Sequence, residues 1–180
     1  SGGQFGIKIA ITSEGIAAAA ALHFKRPVRY IPSLAESMLM TSKRHPFTMR
    51  VKLGADANGK LTAYTNDFIV ENGAYMILGI PVVLRALQML SGSYHIPNVS
   101  ALGKLVYTNN AAGGAARGAG PPQVTFALES AMDMLAEKMG IDPLDFRRRN
   151  SLKPGQSKST GRVVEQWPFP ELCDAIRPHY

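Results

Sequence analysis

The sequence predicts an α+β fold, an antiparallel or mixed sheet with helices packed on it. Three observations carry this reading. Phe47, Met49, Val51 and Leu53 alternate with Thr48, Arg50 and Lys52, the period of a half-buried strand. Asn58-Gly59 then marks a hairpin turn, and a return strand runs from Leu61 to about Glu71. Further on, Val124, Ala127, Leu128, Ala131, Leu135 and Met139 form one face of a helix.

A chain of 180 residues suits one domain, or a piece of a larger region, and is short for two. With 46% hydrophobic and 18% charged residues, the composition is that of a globular chain. A net charge of +7 suggests an anionic partner: nucleic acid, a phosphorylated cofactor or an acidic neighbouring subunit. Lys43-Arg44-His45 and Arg147-Arg148-Arg149 are the densest basic clusters, and neither interleaves aromatics. The second closes a helical pattern, where cations favour the dipole, so a solvated helix end is the reading and nucleic acid is set aside. Cys173, the single cysteine, excludes internal disulfides, Cys-rich zinc sites and iron–sulfur ligation within this chain. No apolar run reaches membrane-spanning length and no signal peptide is visible, which weighs toward a cytoplasmic rather than a periplasmic parent.

Taken in order, the chain opens abruptly on the glycine-rich Ser1-Gly2-Gly3-Gln4-Phe5-Gly6-Ile7-Lys8, read as the start of a piece cut from a longer protein. Thr12 or Ser13 caps a helix through Ile16, Ala19, Ala20 and Leu22, with Lys25 and Arg26 in its last turn and Pro27 as its stop. Val28 to Ile31 reads as a short strand, and the connection from Ser33 to Pro46 has no legible shape. Gly54 to Lys60 nearly spells a nucleotide-binding loop. It is rejected because Leu61 replaces the hydroxyl residue that would hold magnesium and the context is strand–turn–strand. Val82 to Leu90 is a short helix carrying Arg85, and Tyr94-His95 and Leu102 to Thr108 are further strand candidates. Asn98-Val99-Ser100 matches a glycosylation sequon by chance. Glu129, Asp133 and Glu137 form an acidic stripe, read as solvated, with a basic partner the other possibility. Gly140 ends the long helix, Asp142-Pro143 opens another through Asn150, and residues 151–161 are linker-like. An amphipathic segment from Pro170 to Ile176 comes last.

The chemistry is placed in Gly113 to Gln123, where four glycines crowd around Arg117 between a strand and a helix opened by Pro121 and Pro122. Such a loop turns bare N–H groups toward a ligand, and the helix start adds partial positive charge. Arg117 supplies a planar fork of donors for an oxyanion. The bland reading is a flexible turn with a solvated arginine. Against it, the loop carries no acid to pair with Arg117, and Ala115, Ala116 and Ala119 make it unusually apolar. His23, His45, His95 and His179 are scattered, and no nucleophile elbow, dinucleotide motif or catalytic carboxylate pair appears. Alone, these residues describe an α+β domain that binds an anionic group through glycine loops, or a non-catalytic domain that binds an anion or a protein partner.

An ordered set of motifs goes further. It runs from Gly2-Gly3-Gln4-Phe5-Gly6-x-Lys8 and Lys43-Arg44-His45-Pro46-Phe47 through Gly73-Ala74-Tyr75, Ile96-Pro97-Asn98 and Thr108-Asn109. It ends with Arg117-Gly118-x-Gly120-x-Pro122-Gln123 and Met134-Leu135-Ala136-Glu137-Lys138-x-Gly140-x-Asp142-Pro143. Together these resemble the molybdenum-cofactor-binding region of the molybdenum hydroxylases, the xanthine dehydrogenase and aldehyde oxidoreductase family. The resemblance implies molybdopterin with molybdenum, in some members a dinucleotide form, held by Gln4, Phe5 and Gly6 and by Ala116 and Arg117. It assigns no residue of this chain as a direct side-chain ligand of the metal. It matches Arg85 to an arginine that faces substrate in some members. Iron–sulfur clusters would sit in other domains or subunits and receive the electrons. The catalytic glutamate of the family would lie downstream, so the chain alone is expected to be inactive.

Departures from the pattern bear on substrate. Alanines, Ala116 and Ala119, flank the Arg117-Gly118 pair where the family commonly has aromatics, and Ile9 stands where purine-oxidising members carry a glutamate. With Ile9, Arg85 and Ala119 as pocket residues, the resemblance implies an aldehyde-oxidoreductase-like enzyme that hydroxylates aldehydes or related small molecules with water.

Overall fold

The alternating segments pair as read. In the computed structural model, which describes residues 4–6 and 8–180, β2 (Phe47–Ala55) and β3 (Leu61–Gly73) form an antiparallel hairpin, with Phe47 opposite Val70. Ser1, Gly2, Gly3 and Ile7 lie outside the described residues, and with them part of the opening glycine motif. Gly59 takes φ +73° in the turn, and Asp56 closes that turn by accepting the Asn58 and Lys60 N–H groups at 2.9 Å each. The context is strand–turn–strand, which leaves no phosphate loop there.

Parallel to β3 runs β4 (Asn98–Tyr107), so the sheet order is β2-β3-β4 and the sheet is mixed. A parallel partner needs a crossover, and α3 (Gly79–Gln88) supplies it. Tyr64, Phe68 and Val70 point inward from β3 and are almost fully buried, with Phe47 stacked on Phe68 at 5.4 Å between ring centroids. Against this face lies α4 (Pro121–Met139), whose Val124, Leu128, Met132 and Ala136 are completely buried. This i, i+4 ridge shifts the predicted helical face. Met132 and Ala136, left out of the sequence pattern, are central, and Ala127, Ala131, Leu135 and Met139 flank them. Each large buried side chain contributes about 1.5–3 kcal/mol of transfer free energy.

Gly140 ends α4 in the left-handed region at φ +65°, and α5 (Pro143–Asn150) follows with the Asp142 side chain accepting the Asp145 N–H at 3.0 Å. That sharp connection folds α5 back along α4 and corrects two readings. Arg147 is not solvated: its Nε meets Glu129 Oε2 at 2.9 Å and its Nη1 meets Asp133 Oδ1 at 2.7 Å. The acidic stripe is therefore largely an internal contact, and only Glu137 of the three keeps no ion pair. Arg148 pairs with Asp174 of α6 (Phe169–Ile176) at 2.7 Å. Ser151 and Leu152 are buried, and the chain from Lys153 to Gly161 runs largely at the surface with a bridge between Ser157 and Val163.

The N-terminal third differs in character. Helix α1 (Glu14–Phe24) forms with Ser13 at its cap but buries no residue, and it stops at Phe24, with Lys25 left-handed at φ +49°. Val28 to Ile31 joins no ladder among the described residues, so it is not a strand there. The illegible connection contains α2 (Leu34–Met40), fixed by a capping box in which Ser33 and Glu36 satisfy each other's backbone N–H groups. It ends in β1 (Lys43–Arg44), which pairs in parallel with β5 (Gly113–Gly114). Tyr94 makes only a single bridge, to Ser151, rather than a strand. Asn98, the sequon residue, donates to the Thr62 carbonyl at 2.9 Å. Among the described residues no helix is long and apolar enough to cross a membrane.

Candidate functional site

Between β4 and α4 the chain makes the glycine loop. Its first two glycines are pinned by the short pairing with Lys43 and Arg44. Beneath them lies His45, 2% exposed, so close that a Cβ on Gly113 would stand 2.4 Å from the imidazole. The His45 carbonyl accepts from the Gln123 side chain at 3.2 Å, which ties β1 to the first turn of α4. Neither His45 ring nitrogen reaches a partner at hydrogen-bonding geometry, although Gly114 and Asn72 lie near enough to favour the proton. Burial outweighs them and holds the imidazole below its ordinary pKa.

Beyond Gly114 the loop turns tightly, with the Ala119 N–H donating to the Ala116 carbonyl at 2.8 Å. Gly118, Ala119 and Gly120 then take three consecutive positive φ values of 96°, 49° and 107°. Gly120 is needed for space as well, since a Cβ there would lie 2.3 Å from the Val82 carbonyl of α3. From the other side Arg44 Nη2 donates to the Arg117 carbonyl at 2.8 Å. The loop is thus held on three sides while its outer face stays bare. Among the described residues, the N–H groups of Arg117, Gly118 and Gly120 have no acceptor, and neither do the Arg85 and Arg117 guanidinium groups.

Every predicted site residue except Gln4 lines one cavity of about 350 Å³. Phe5, Gly6 and Ile9 come to it from the N-terminal glycine stretch, Ala116, Arg117 and Ala119 from the loop, and Arg85 from α3. Gln4 stands behind, its side-chain carbonyl accepting the Gly6 N–H at 3.2 Å. The sequence reading missed Leu78, Pro81 and Val82, which wall the cavity from the start of α3, and it gave no role to Arg44 or His45. The Lys43-Arg44-His45-Pro46 motif was a usable signal, but only the fold shows that it underlies the loop. No carboxylate lines the cavity. Bare amides, two guanidinium groups and the N-terminus of α4 make its mouth suited to oxyanions, while Phe5, Ile9 and the alanines keep its walls apolar.

A loop of this kind on a mixed sheet defines a class. The model of the molybdopterin cofactor-binding domain matches residues 1–151, and the chain belongs to that family, within the molybdenum enzymes of the aldehyde oxidoreductase and xanthine dehydrogenase type. The chain is 42% identical over 179 residues to the aldehyde oxidoreductase of Megalodesulfovibrio gigas, covering 99% of this chain and 20% of that protein. It is 40% identical over 165 residues to the nicotinate dehydrogenase large molybdopterin subunit of Eubacterium barkeri, covering 92% of this chain and 39% of that subunit. The solved aldehyde oxidoreductase from Desulfovibrio gigas superposes with a TM-score of 0.93 over 99% of this chain and 20% of that one, at 42% identity. The chain therefore spans between a fifth and two fifths of the length of these relatives.

Proposed function

We propose that this chain forms one wall of the molybdopterin site and substrate pocket of an aldehyde-oxidoreductase-like hydroxylase. The observation that carries the reading is the convergence of Phe5, Gly6, Ala116, Arg117, Ile9, Arg85 and Ala119 on one cavity whose donors lack protein acceptors. The residues fit the cofactor. A phosphorylated pterin needs amide and guanidinium donors, and the unpaired N–H groups of Arg117, Gly118 and Gly120 are of that kind. Gly6 lies so close to the loop that backbone rather than side chain meets the ligand there.

When bound, the cofactor supplies the redox chemistry by which a carbon centre is hydroxylated with oxygen from water. The residues of this chain do the holding and shaping. Gln4 keeps the Phe5-Gly6 turn in place, and Arg44 fixes the backbone at Arg117. Arg117 and the loop amides orient the anionic part of the cofactor, whether molybdopterin alone or its dinucleotide form, whereas Arg85, Ile9 and Ala119 face the substrate side. Electrons leave through iron–sulfur clusters in other domains or subunits, since Cys173 is the single thiol here and is buried. Molybdenum and pterin analysis of the full-length parent tests the reading, with nucleotide release on acid hydrolysis separating the dinucleotide form from molybdopterin alone. A parent that purifies folded without molybdenum or pterin would leave a non-catalytic anion-binding domain as the better account.

A further inference from the structure

At the far end of β3 from the glycine loop, a second positively charged concavity lies between the β2–β3 turn and the C-terminal end of α5. The separation is roughly 40 Å of extended strand, at about 3.3 Å per residue. The three consecutive arginines of α5 explain how the charge arises. Neighbouring helical residues point about 100° apart, so the three side chains diverge. Arg147 goes to Glu129 and Asp133, and Arg148 goes to Asp174. Arg149 finds no carboxylate. Its Nη1 donates to the Asn58 carbonyl of the hairpin turn at 2.5 Å, while Lys60 Nζ donates back to the Arg149 carbonyl.

The frame that holds these two cations is rigid. Asn150 is 3% exposed, and its side chain accepts the Leu61 N–H and donates to the Gly59 and Phe146 carbonyls, each at 2.9 Å. Its carbonyl accepts the His95 N–H at 2.9 Å, which brings His95 to the same pocket. Lys153 closes it, its backbone N–H tied to the Gln156 side chain at 2.8 Å. The pocket has a volume of about 210 Å³ and is lined by Lys60, Arg149, Lys153 and His95, with no carboxylate. Asp56, on the adjoining turn, has one carboxylate oxygen already engaged by two backbone N–H groups. Among the described residues, the Lys153 ammonium and the His95 imidazole have no hydrogen-bond partner.

We propose that this pocket is an oxyanion site that takes a single phosphate-sized tetrahedral anion. Three positive charges, Lys60, Arg149 and Lys153, gather here with only Asp56 of the adjoining turn to offset them, and a dianion between them relieves the repulsion that remains. Burial first, and then Lys153 and Arg149, already push the Lys60 ammonium below its ordinary pKa, while Asp56 opposes them. The volume is below the range of pockets that enclose drug-sized ligands, so a compact ion fits better than a nucleotide. No Phe, Tyr or Trp lines it, which argues against a stacking platform for a base.

Inorganic phosphate is the probe, added to the full-length parent in phosphate-free buffer, with sodium chloride at equal ionic strength as the control. Phosphate line width in phosphorus NMR and the rise in melting temperature are the readouts. Saturable broadening and stabilisation beyond the chloride control are expected in the wild type. In Lys153→Gln the apparent affinity falls about tenfold, as for loss of one charge-assisted contact. Among the described residues the Lys153 side chain has no partner, so this variant is expected to fold even if Arg149→Gln, which also removes a hairpin contact, does not. The assignment is overturned if phosphate acts no differently from chloride, which would mean that a carboxylate of the parent fills the pocket. It is equally overturned if binding survives Lys153→Gln but disappears in Arg117→Lys, which would put the anion in the cavity beside Arg117.

Discussion

A Cβ added to Gly6 would lie 1.5 Å from the carbonyl oxygen of Ala115, so the N-terminal glycine stretch and the loop touch backbone to backbone. Gly6 also has φ +87°, where a side chain is strained whatever the space. Gly6→Ala must therefore move either the Phe5 turn or the Ala115–Ala119 segment. In the full-length parent we expect molybdenum content and turnover to fall together by about tenfold or more, since a 1 Å displacement in a positioned site has effects of that order. Circular dichroism should stay unchanged, because the close contact of Gly6 is with Ala115 of the loop, outside the β2-β3-β4 sheet. Full metal loading in this variant would mean that the contact does not shape the site.

Arg117 tests the donor chemistry directly. Among the described residues its guanidinium has no partner, so replacing it strips none of them of a hydrogen bond. Arg117→Lys keeps the charge and removes the planar fork. Activity of the parent should drop while the melting temperature is kept. Turnover and metal content equal to wild type would make Arg117 a solvated surface residue.

The α4–α5 contact separates a structural network from surface charge. Tyr94, 1% exposed, donates its hydroxyl to Glu129 at 2.8 and 2.9 Å, and Arg147 shares the same carboxylate. Burial, and then the facing carboxylate, push the Tyr94 phenol well above its ordinary pKa, so it stays a neutral donor. Glu129→Ala strips a buried hydroxyl of its acceptor and should cost about 1–3 kcal/mol. Asp133 is exposed and only caps the other side of Arg147, so Asp133→Ala should cost below about 1 kcal/mol. Urea unfolding of the purified chain orders the two, and equal losses would show that Tyr94 contributes nothing.

These cases also show what can be read from a sequence like this and what cannot. The β2–β3 hairpin was legible because Phe47 to Leu53 alternate and Asn58-Gly59 is a local turn signal, both independent of the rest of the fold. The cap at Asp142 and the stop at Gly140 are equally local. By contrast, Val28 to Ile31 has strand-like residues but no neighbouring strand to supply a ladder, so propensity alone misleads. Helix α2 was missed because its apolar residues face no core, leaving only the Ser33–Glu36 cap as a sign. The fates of Arg147, Arg148 and Arg149 depend on where α4, α6 and the hairpin lie, and no local pattern carries that. In the candidate site, Arg117 and its glycines were visible as a motif. The supports beneath it, Arg44 and His45, were not, because they lie some seventy residues away in sequence.

His45 gives the site a pH signature. Its imidazole is buried and its folded-state pKa lies below the ordinary value, so the folded protein holds it neutral. Above about pH 6.5 the folded and unfolded chains are both neutral there, and the full contribution to stability is present. As pH falls below that value the unfolded state takes up the proton first, and stability declines until the folded-state pKa is passed. Carboxylates with lowered pKa, such as Asp174 with its Arg148 partner, lose their contribution only at lower pH, below roughly 4. The melting temperature should thus be level above about pH 6.5 and decline as pH drops below it, and His45→Gln should flatten that decline. A slope of the same size in His45→Gln would assign it to other groups.

On the proposed reading, substrate choice rests on Ile9 and Ala119, which line the cavity together with Arg85. A site selective for purines would present a polar group to the ring and would discriminate strongly, because that group is left unpaired by other substrates. Ile9 can make no such bond, which favours aldehydes over xanthine. Width is a separate matter. Aromatics at positions 116 and 119 would each fill roughly 150–250 Å² of buried surface, whereas the alanines here leave a cavity of about 350 Å³. Ala119 already carries a Cβ at φ 49°, so Ala119→Phe adds a ring with little further backbone strain. In the full-length parent we expect kcat/KM for aromatic aldehydes to exceed that for xanthine and hypoxanthine. Ala119→Phe should lower it for bulky aldehydes by about tenfold or more while sparing acetaldehyde, a difference of about 1.4 kcal/mol in transition-state binding. A wild-type preference for purines would refute the polarity argument. If bulky and small aldehydes lose equally in Ala119→Phe, the width argument falls and the reading at Ile9 stands alone.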